Sequence, residues 1–270
     1  VRDDGDTGQR GGVAIVTHSG SVGGLIFSSL QLNRIGVDYW VGLGNEATLE
    51  TADFVEHFST VAGVHTVICY MEGVQNGRKF MAAAEQARQA GKRVVVVKAG
   101  DSPESVRSTL SHTGKNPSPG DTYSGAFRQC GVIHAKSLAE LSYVMTLLTT
   151  VGDRLGQNER CSVGIISASG GANSLIADHV VDAGLPLPEL PPAVQMELNK
   201  VIPEYGSSLN PVDLSADVIS RPEILNGTLE QIGREPTVDV WMVFGRPVID
   251  RYADALIDFA KGSSKAMVVC

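Results

Sequence analysis

Two residues stand in contexts suited to phosphoryl chemistry. His112 lies in LSHTGKNPSPGDTY and Glu72 lies in YMEGVQNGRKF, directly after an apolar run. A neutral imidazole attacks phosphorus through one ring nitrogen when a carboxylate holds the other N–H, which fixes the tautomer and steadies the positive charge that develops. Loops rich in Gly, Pro and Ser carry functional side chains disproportionately, and the segment 111–120 around His112 is such a loop. Among the six histidines, His57 and His179 fall in helical patterns, while His65 and His134 begin or lie within strands, where structural or surface roles fit. For His112 the alternative is likewise structural. For Glu72 it is a charge interacting with the dipole of the next helix, and spacing does not choose between the two roles.

Two short turns could hold the anion such chemistry needs: Ser19-Gly20-Ser21 and Ser169-Gly170-Gly171. Each separates an apolar run from an amphipathic stretch. At such a place the first backbone N–H groups of the helix point outward, unpaired, at the positive end of its dipole. Serine adds hydroxyl donors and glycine permits close approach. The bland alternative is an N-cap serine beside a turn glycine. Neither turn is a Walker loop, because no Gly-Lys-Ser/Thr follows, and the glycine spacing of a dinucleotide fingerprint is missing.

The elements that must position these residues follow from periodicity. Apolar runs at 13–17, 38–43, 66–71, 94–97 and 132–135 alternate with helical patterns at 22–33, 51–58, 78–89 and 138–150. Strands apolar on both faces and joined through helices predict a parallel sheet covered on both sides. After the polar stretch 152–160 the pattern restarts: VGIISASGGANSLI (163–176) aligns without a gap on VAIVTHSGSVGGLI (13–26). This self-similarity favours an internal repeat. It predicts two doubly wound α/β domains, at 11–151 and 160–270.

Composition narrows the function. With 30 Gly in 270 residues and 19% charged residues, the chain reads as a compact α/β protein with many tight turns. The net charge of −8, with no basic run interleaved with aromatics, argues against nucleic acid as a partner. Cys69, Cys130, Cys161 and Cys270 show no CxxC spacing, so neither a metal site nor a disulfide framework is expected, and a reducing cytoplasm is the expected compartment. No apolar stretch reaches membrane-spanning length and the N-terminus lacks a signal-peptide core, so no membrane role is expected. The start at Val1 and the strand-like KAMVVC at the other end lead us to expect a piece of a longer polypeptide, with the second domain truncated.

A combination of segments then carries a family resemblance. GGVAIVTHSGSVGG, VGLGNEATLETADF, YMEGVQNGRKF, VVVVKAGDS and SHTG (111–114) followed by AFRQCGVI resemble the second domain of the NDP-forming acyl-CoA synthetases, relatives of succinyl-CoA synthetase. VGIISASGGANSLIADHVVDAGL, ELPPAVQMELNKVIP and SLNPVDLS resemble the third domain of the same family. The resemblance covers nearly all of the chain, in the family's order.

The resemblance implies two flavodoxin-like, succinyl-CoA synthetase-like domains, with His112 phosphorylated transiently and Glu72 orienting it. It also implies that the helix starts at Ser19, Gly20 and Ser21 and at Ser169, Gly170 and Gly171 converge on the phosphohistidine. CoA and ATP, or another NTP with Mg, are then substrates of the complete enzyme, together with a small carboxylate. A CoA-binding domain and an ATP-grasp domain or subunit are expected partners in an oligomer, and the piece alone is expected to be inactive. The rival function is a non-catalytic module that binds an anion or an acyl-CoA. Departures from the family pattern are Lys115-Asn116-Pro117-Ser118 in place of a small-residue run after SHTG, where Pro117 and Pro119 stiffen the loop, and His18 where glutamine is usual. His18 reads as a neutral hydrogen-bonding substitute beside the phosphate turn.

Overall fold

The computed structural model describes residues 10–100, 105, 120–152 and 161–270. The chain divides into two compact units, Val1–Thr149 and Thr150–Cys270. Each is described by itself.

In the first unit β1 (Arg10–Thr17), α1 (Gly20–Leu32), β2 (Ile35–Gly42), α2 (Thr51–Thr60), β3 (Thr66–Met71), α3 (Gly77–Gln89) and β4 (Arg93–Lys98) follow in alternation. After them come α4 (Gly120–Gln129), β5 (Ile133–Ala135) and α5 (Leu138–Thr150). The strands form a parallel sheet in the order β2-β1-β3-β4-β5. Alternation of side chains sorts the core. Ala14, Val16, Val67, Cys69, Val94 and Val96 face α2, α3 and α4, whereas Val13, Ile15, Ile68 and Val95 face α1 and α5. That two-sided burial explains the unbroken apolar runs.

β2 departs from the expectation of a strand apolar on both faces. It begins at Ile35, earlier than the apolar run, and its second half is largely exposed, with Tyr39 at 43% and Trp40 at 44%. The reason is its place at the sheet edge, where only β1 pairs with it. Trp40 still packs, its ring 5.5 Å from that of Phe27.

The second unit repeats the plan with β6 (Val163–Ser167), α6 (Gly170–Asp182), α7 (Pro192–Leu198), β7 (Val212–Asp213), a 3-10 turn (Ala216–Ile219), α8 (Pro222–Ile232), β8 (Val240–Phe244), α9 (Arg246–Gly262) and β9 (Ala266–Val269). Its parallel sheet runs β7-β6-β8-β9. Ile166, Val212, Trp241 and Val243 pack under α7, α8 and α9, and Val163 and Ile165 face α6. A glycine is required at one point here. A β-carbon at Gly164 would lie 2.4 Å from the fully buried ring of Trp241.

In both sheets the order reverses beside the first strand, between β1 and β3 and between β6 and β8. The carboxyl ends of strands at such a reversal form the crevice in which doubly wound sheets bind ligands.

Candidate functional site

Both serine-glycine turns sit at the carboxyl end of the first strand of their sheet. In the first unit Ser19 is the N-cap of α1 with extended backbone, and its hydroxyl accepts from Val22 N at 3.4 Å. Its Oγ lies 3.1 Å from that of Ser21. Thr17 locks the turn, since its Oγ1 accepts from Ser19 N and donates to Ser19 O. In the second unit Ser167 and Ser169 reproduce these bonds: Ser167 Oγ accepts from Ser169 N, and Ser169 Oγ accepts from Ala172 N. The likeness in sequence is therefore a likeness in hydrogen bonding.

The two turns differ in charge. A β-carbon at Gly20 would meet nothing within 4 Å, so the approach to α1 is open there. One at Gly170 would meet Asp213 Oδ2 at 3.0 Å, so a carboxylate stands at the start of α6. Its other oxygen accepts from Ser215 N at 2.9 Å. A negative group placed there already interacts with the helix dipole, and an incoming anion would meet its repulsion.

Glu72 follows β3 directly and is only 8% exposed. It lies before α3, whose first turn contains no acidic residue, so the helix-charge role considered for it does not describe its place. The phenol of neighbouring Tyr70 is pushed up, first by burial and then by the Glu72 charge. His112 lies outside the described residues, and so does most of the 152–160 stretch.

His18 joins Glu72 to the first turn. Its backbone N–H donates to Tyr70 O at 3.0 Å, and its Nδ1 accepts from Glu72 N at 3.2 Å. On the other side of the ring Nε2 lies 3.0 Å from Glu46 Oε1 and 2.9 Å from Thr51 Oγ1. Because Nδ1 is an acceptor, the ring proton is on Nε2, where Glu46 Oε1 and Thr51 Oγ1 both stand as acceptors. Glu46 Oε1 also accepts from the backbone N–H and the hydroxyl of Thr51, at 2.7 and 2.8 Å. The His18 and Glu46 side chains are 2% and 1% exposed.

Sequence reasoning missed Glu46 and also Lys98, which is buried at the end of β4. Lys98 Nζ donates to Ala99 O and Gly100 O and lies 4.5 Å from the centre of the Tyr123 ring. Tyr123 Oη in turn accepts from Val74 N, two residues beyond Glu72. A lysine directly after a run of four valines, at 94–97, was the available signal for this cation. Cys69, in the same strand as Tyr70, is fully buried, and burial and secondarily the Glu46 charge push its thiol up. Among the described residues no group of three or more His, Cys, Asp or Glu could hold a metal ion, and no helix is long and apolar enough to cross a membrane.

The model of the succinyl-CoA ligase like flavodoxin domain matches residues 10–148, and the model of the Ligase-CoA domain matches 163–245. The chain belongs to the NDP-forming acyl-CoA synthetases. It is similar to the ADP-forming acetate–CoA ligase I of Archaeoglobus fulgidus, with 30% identity over 96% of this chain and 36% of that protein. It is also similar to the alpha subunit of ADP-forming acetate–CoA ligase I of Pyrococcus furiosus, 32% identical over 76% of this chain and 43% of that subunit. Among solved structures, the dinucleotide-forming acetyl-coenzyme A synthetase 1 of Ca. Korarchaeum cryptofilum, in complex with phosphate and ADP, superposes with a TM-score of 0.78 at 25% identity. That match covers 97% of this chain and 56% of that one. The chain thus spans about a third to a half of the length of these synthetase relatives, which continue beyond the matched region.

Proposed function

We propose that this chain is the phosphoryl-relaying centre of an NDP-forming acyl-CoA synthetase, in which a carboxylate, CoA and an NTP give acyl-CoA, NDP and phosphate. The observation that carries this reading is the buried Glu72 carboxylate at the end of β3, coupled through His18 to the open, serine-capped start of α1. An acid placed there meets the requirement of a histidine that must bear positive charge while it holds a phosphoryl group.

In the first step a ring nitrogen of His112 attacks the terminal phosphorus of ATP, or of another NTP, supplied as its Mg complex. The P–N bond forms as the bond to the NDP oxygen breaks. Glu72 accepts the N–H of the opposite ring nitrogen and offsets the charge of the phosphoimidazolium. The start of α1, at Ser19, Gly20 and Ser21, carries roughly half a positive charge, and the hydroxyls of Ser19 and Ser21 and the N–H groups of Gly20 and Ser21 offer donors for the phosphoryl oxygens. Ser169, Gly170 and Gly171 offer the corresponding helix start in the second unit, a weaker anion site because the Asp213 carboxylate stands beside Gly170. A loose phosphoryl transition state needs chiefly this matching of charge and line of attack.

In the second step a carboxylate oxygen of the substrate attacks phosphorus and the P–N bond breaks, restoring His112 and leaving an acyl phosphate. The CoA sulfur then attacks the acyl carbon, and phosphate departs with the thiol proton. Nucleotide and CoA are delivered by an ATP-grasp portion and a CoA-binding portion of the assembled enzyme, and the chain by itself does not turn over. The test is the His112→Asn variant of the complete ligase. Loss of both covalent labelling by ATP and acyl-CoA formation is expected, and acyl-CoA formation at the normal rate overturns the relay. Anion or acyl-CoA binding with no labelling in the unmodified ligase would instead identify a binding module.

A further inference from the structure

We propose that His18 and Glu46 are positioning residues for Glu72, forming a buried relay that fixes where its carboxylate stands. This rests on the reading of Glu72 as the partner of the phosphoryl-accepting histidine. The structural basis is independent of it.

Glu72 directly follows the last residue of β3, where sheet pairing ends, so its backbone needs another anchor. His18 Nδ1 supplies one by accepting its N–H at 3.2 Å. A ring nitrogen serves as acceptor only while its proton is on the other nitrogen. Glu46 and Thr51 enforce that tautomer, since both oxygens lie within 3.0 Å of Nε2.

Glu46 is itself tightly held. The N–H and hydroxyl of Thr51, the first residue of α2, both donate to its Oε1. Its backbone has φ of 54°, in the left-handed region that a residue other than glycine adopts only when its surroundings hold it there. The helix start, the carboxylate, the ring and the Glu72 amide form one continuous chain of bonds from α2 to the end of β3. The backbone N–H of His18 donates to Tyr70 O, which holds the main chain that carries the ring against the end of β3, directly before the Ser19 turn. A backbone displacement of about 1 Å near reacting groups can cost on the order of 100-fold in rate.

Glutamine can reproduce both bonds, with its carbonyl accepting from Glu72 N and its amide donating to Glu46. Leucine fills similar space and reproduces neither.

The test uses the complete ligase with His18→Leu, His18→Gln, Glu72→Gln and the His18→Leu/Glu72→Gln double variant. It reads the rate of histidine phosphorylation and the steady-state constants. His18→Leu is expected to lower kcat about 10-fold or more with KM values within about 2-fold of the original. His18→Gln should restore most of the rate, and the double variant should be little slower than Glu72→Gln alone, as for residues acting through one group. If Glu72→Gln is slow but the double variant shows the full product of both losses, the relay is overturned while the role of Glu72 stands. If Glu72→Gln is as fast as the unmodified ligase, the role of Glu72 fails and the relay with it. Nitrogen NMR of the His18 ring, which needs no substitution, should find the proton on Nε2, and a proton on Nδ1 overturns the relay directly.

Discussion

The backbone N–H of Glu72 donates to Nδ1 of His18 at 3.2 Å, across the point where the strand order of the first sheet reverses. One imidazole therefore ties the residue after β3 to the turn that starts α1. A carboxylate and the serine-capped start of a helix are held in a fixed relation by a bond that neither motif contains by itself.

Glu72→Gln should slow histidine phosphorylation without unfolding the protein. The amide keeps the shape of the side chain and loses the charge that a developing imidazolium needs. Loss of such a partner reduces function on the order of 10- to 100-fold at metal-bound histidines, and a loss in that range is expected here. Rapid-quench labelling measures it, and unchanged kinetics would count against the pairing.

Phosphate or sulfate soaked into crystals should occupy the first turn, at Gly20 and Ser21, more readily than the second, because Asp213 stands beside Gly170. Asp213→Asn should raise occupancy at Gly170 and Gly171, and a bulky residue at Gly20 should abolish binding at the first turn. Equal occupancy of both turns in the unmodified protein would show that the Asp213 charge is of no consequence.

Gly164→Ala should destabilise the second unit. Its added carbon would fall 2.4 Å from the Trp241 ring, which is fully buried and cannot swing aside. Overpacking of this kind costs about 1–3 kcal/mol, so calorimetry should show a thermal midpoint lower by several degrees. An unchanged midpoint would mean that this strand gives way without cost.

Acid should weaken the second unit through Asp239. Hydrogen bonds from the hydroxyl and amide of Ser162, at 2.7 and 2.8 Å, hold its carboxyl below the ordinary value of 3.8. A folded-state value below the unfolded one contributes stability that is fully present above pH 3.8 and is lost as pH falls through the depressed value. Denaturant titrations from pH 6 down to about 2 should therefore show the unmodified protein losing its advantage over Asp239→Asn. A constant difference would exclude this linkage.

Much of the fold is legible in the sequence because buried parallel strands must be apolar on both faces. The valines of β4 and the gap-free match of 13–26 with 163–176 carry that signal, and both matched segments form a strand, a serine-capped turn and a helix. The exposed half of β2 is not legible, since edge position depends on which strands pair. β7, with two residues, is too short to show any period. At the site, Glu72 and the two turns are marked by their place after strands. Glu46 is not so marked. Its role arises because the loop after β2 folds back over the end of β1, a relationship between residues 28 apart. The sequence marks His18 as a neutral hydrogen-bonding residue, and the structure adds the carboxylate and hydroxyl that select its tautomer.

The central claim is that the phosphoryl group passes through His112. The most direct measurement is brief incubation of the complete ligase with γ-labelled ATP and Mg, followed by mapping of acid-labile phosphate by mass spectrometry. The account predicts phosphate on His112 that disappears when the carboxylate and CoA are added, at a rate no slower than turnover. Turnover without any labelled histidine, or with the label on another residue, would contradict it.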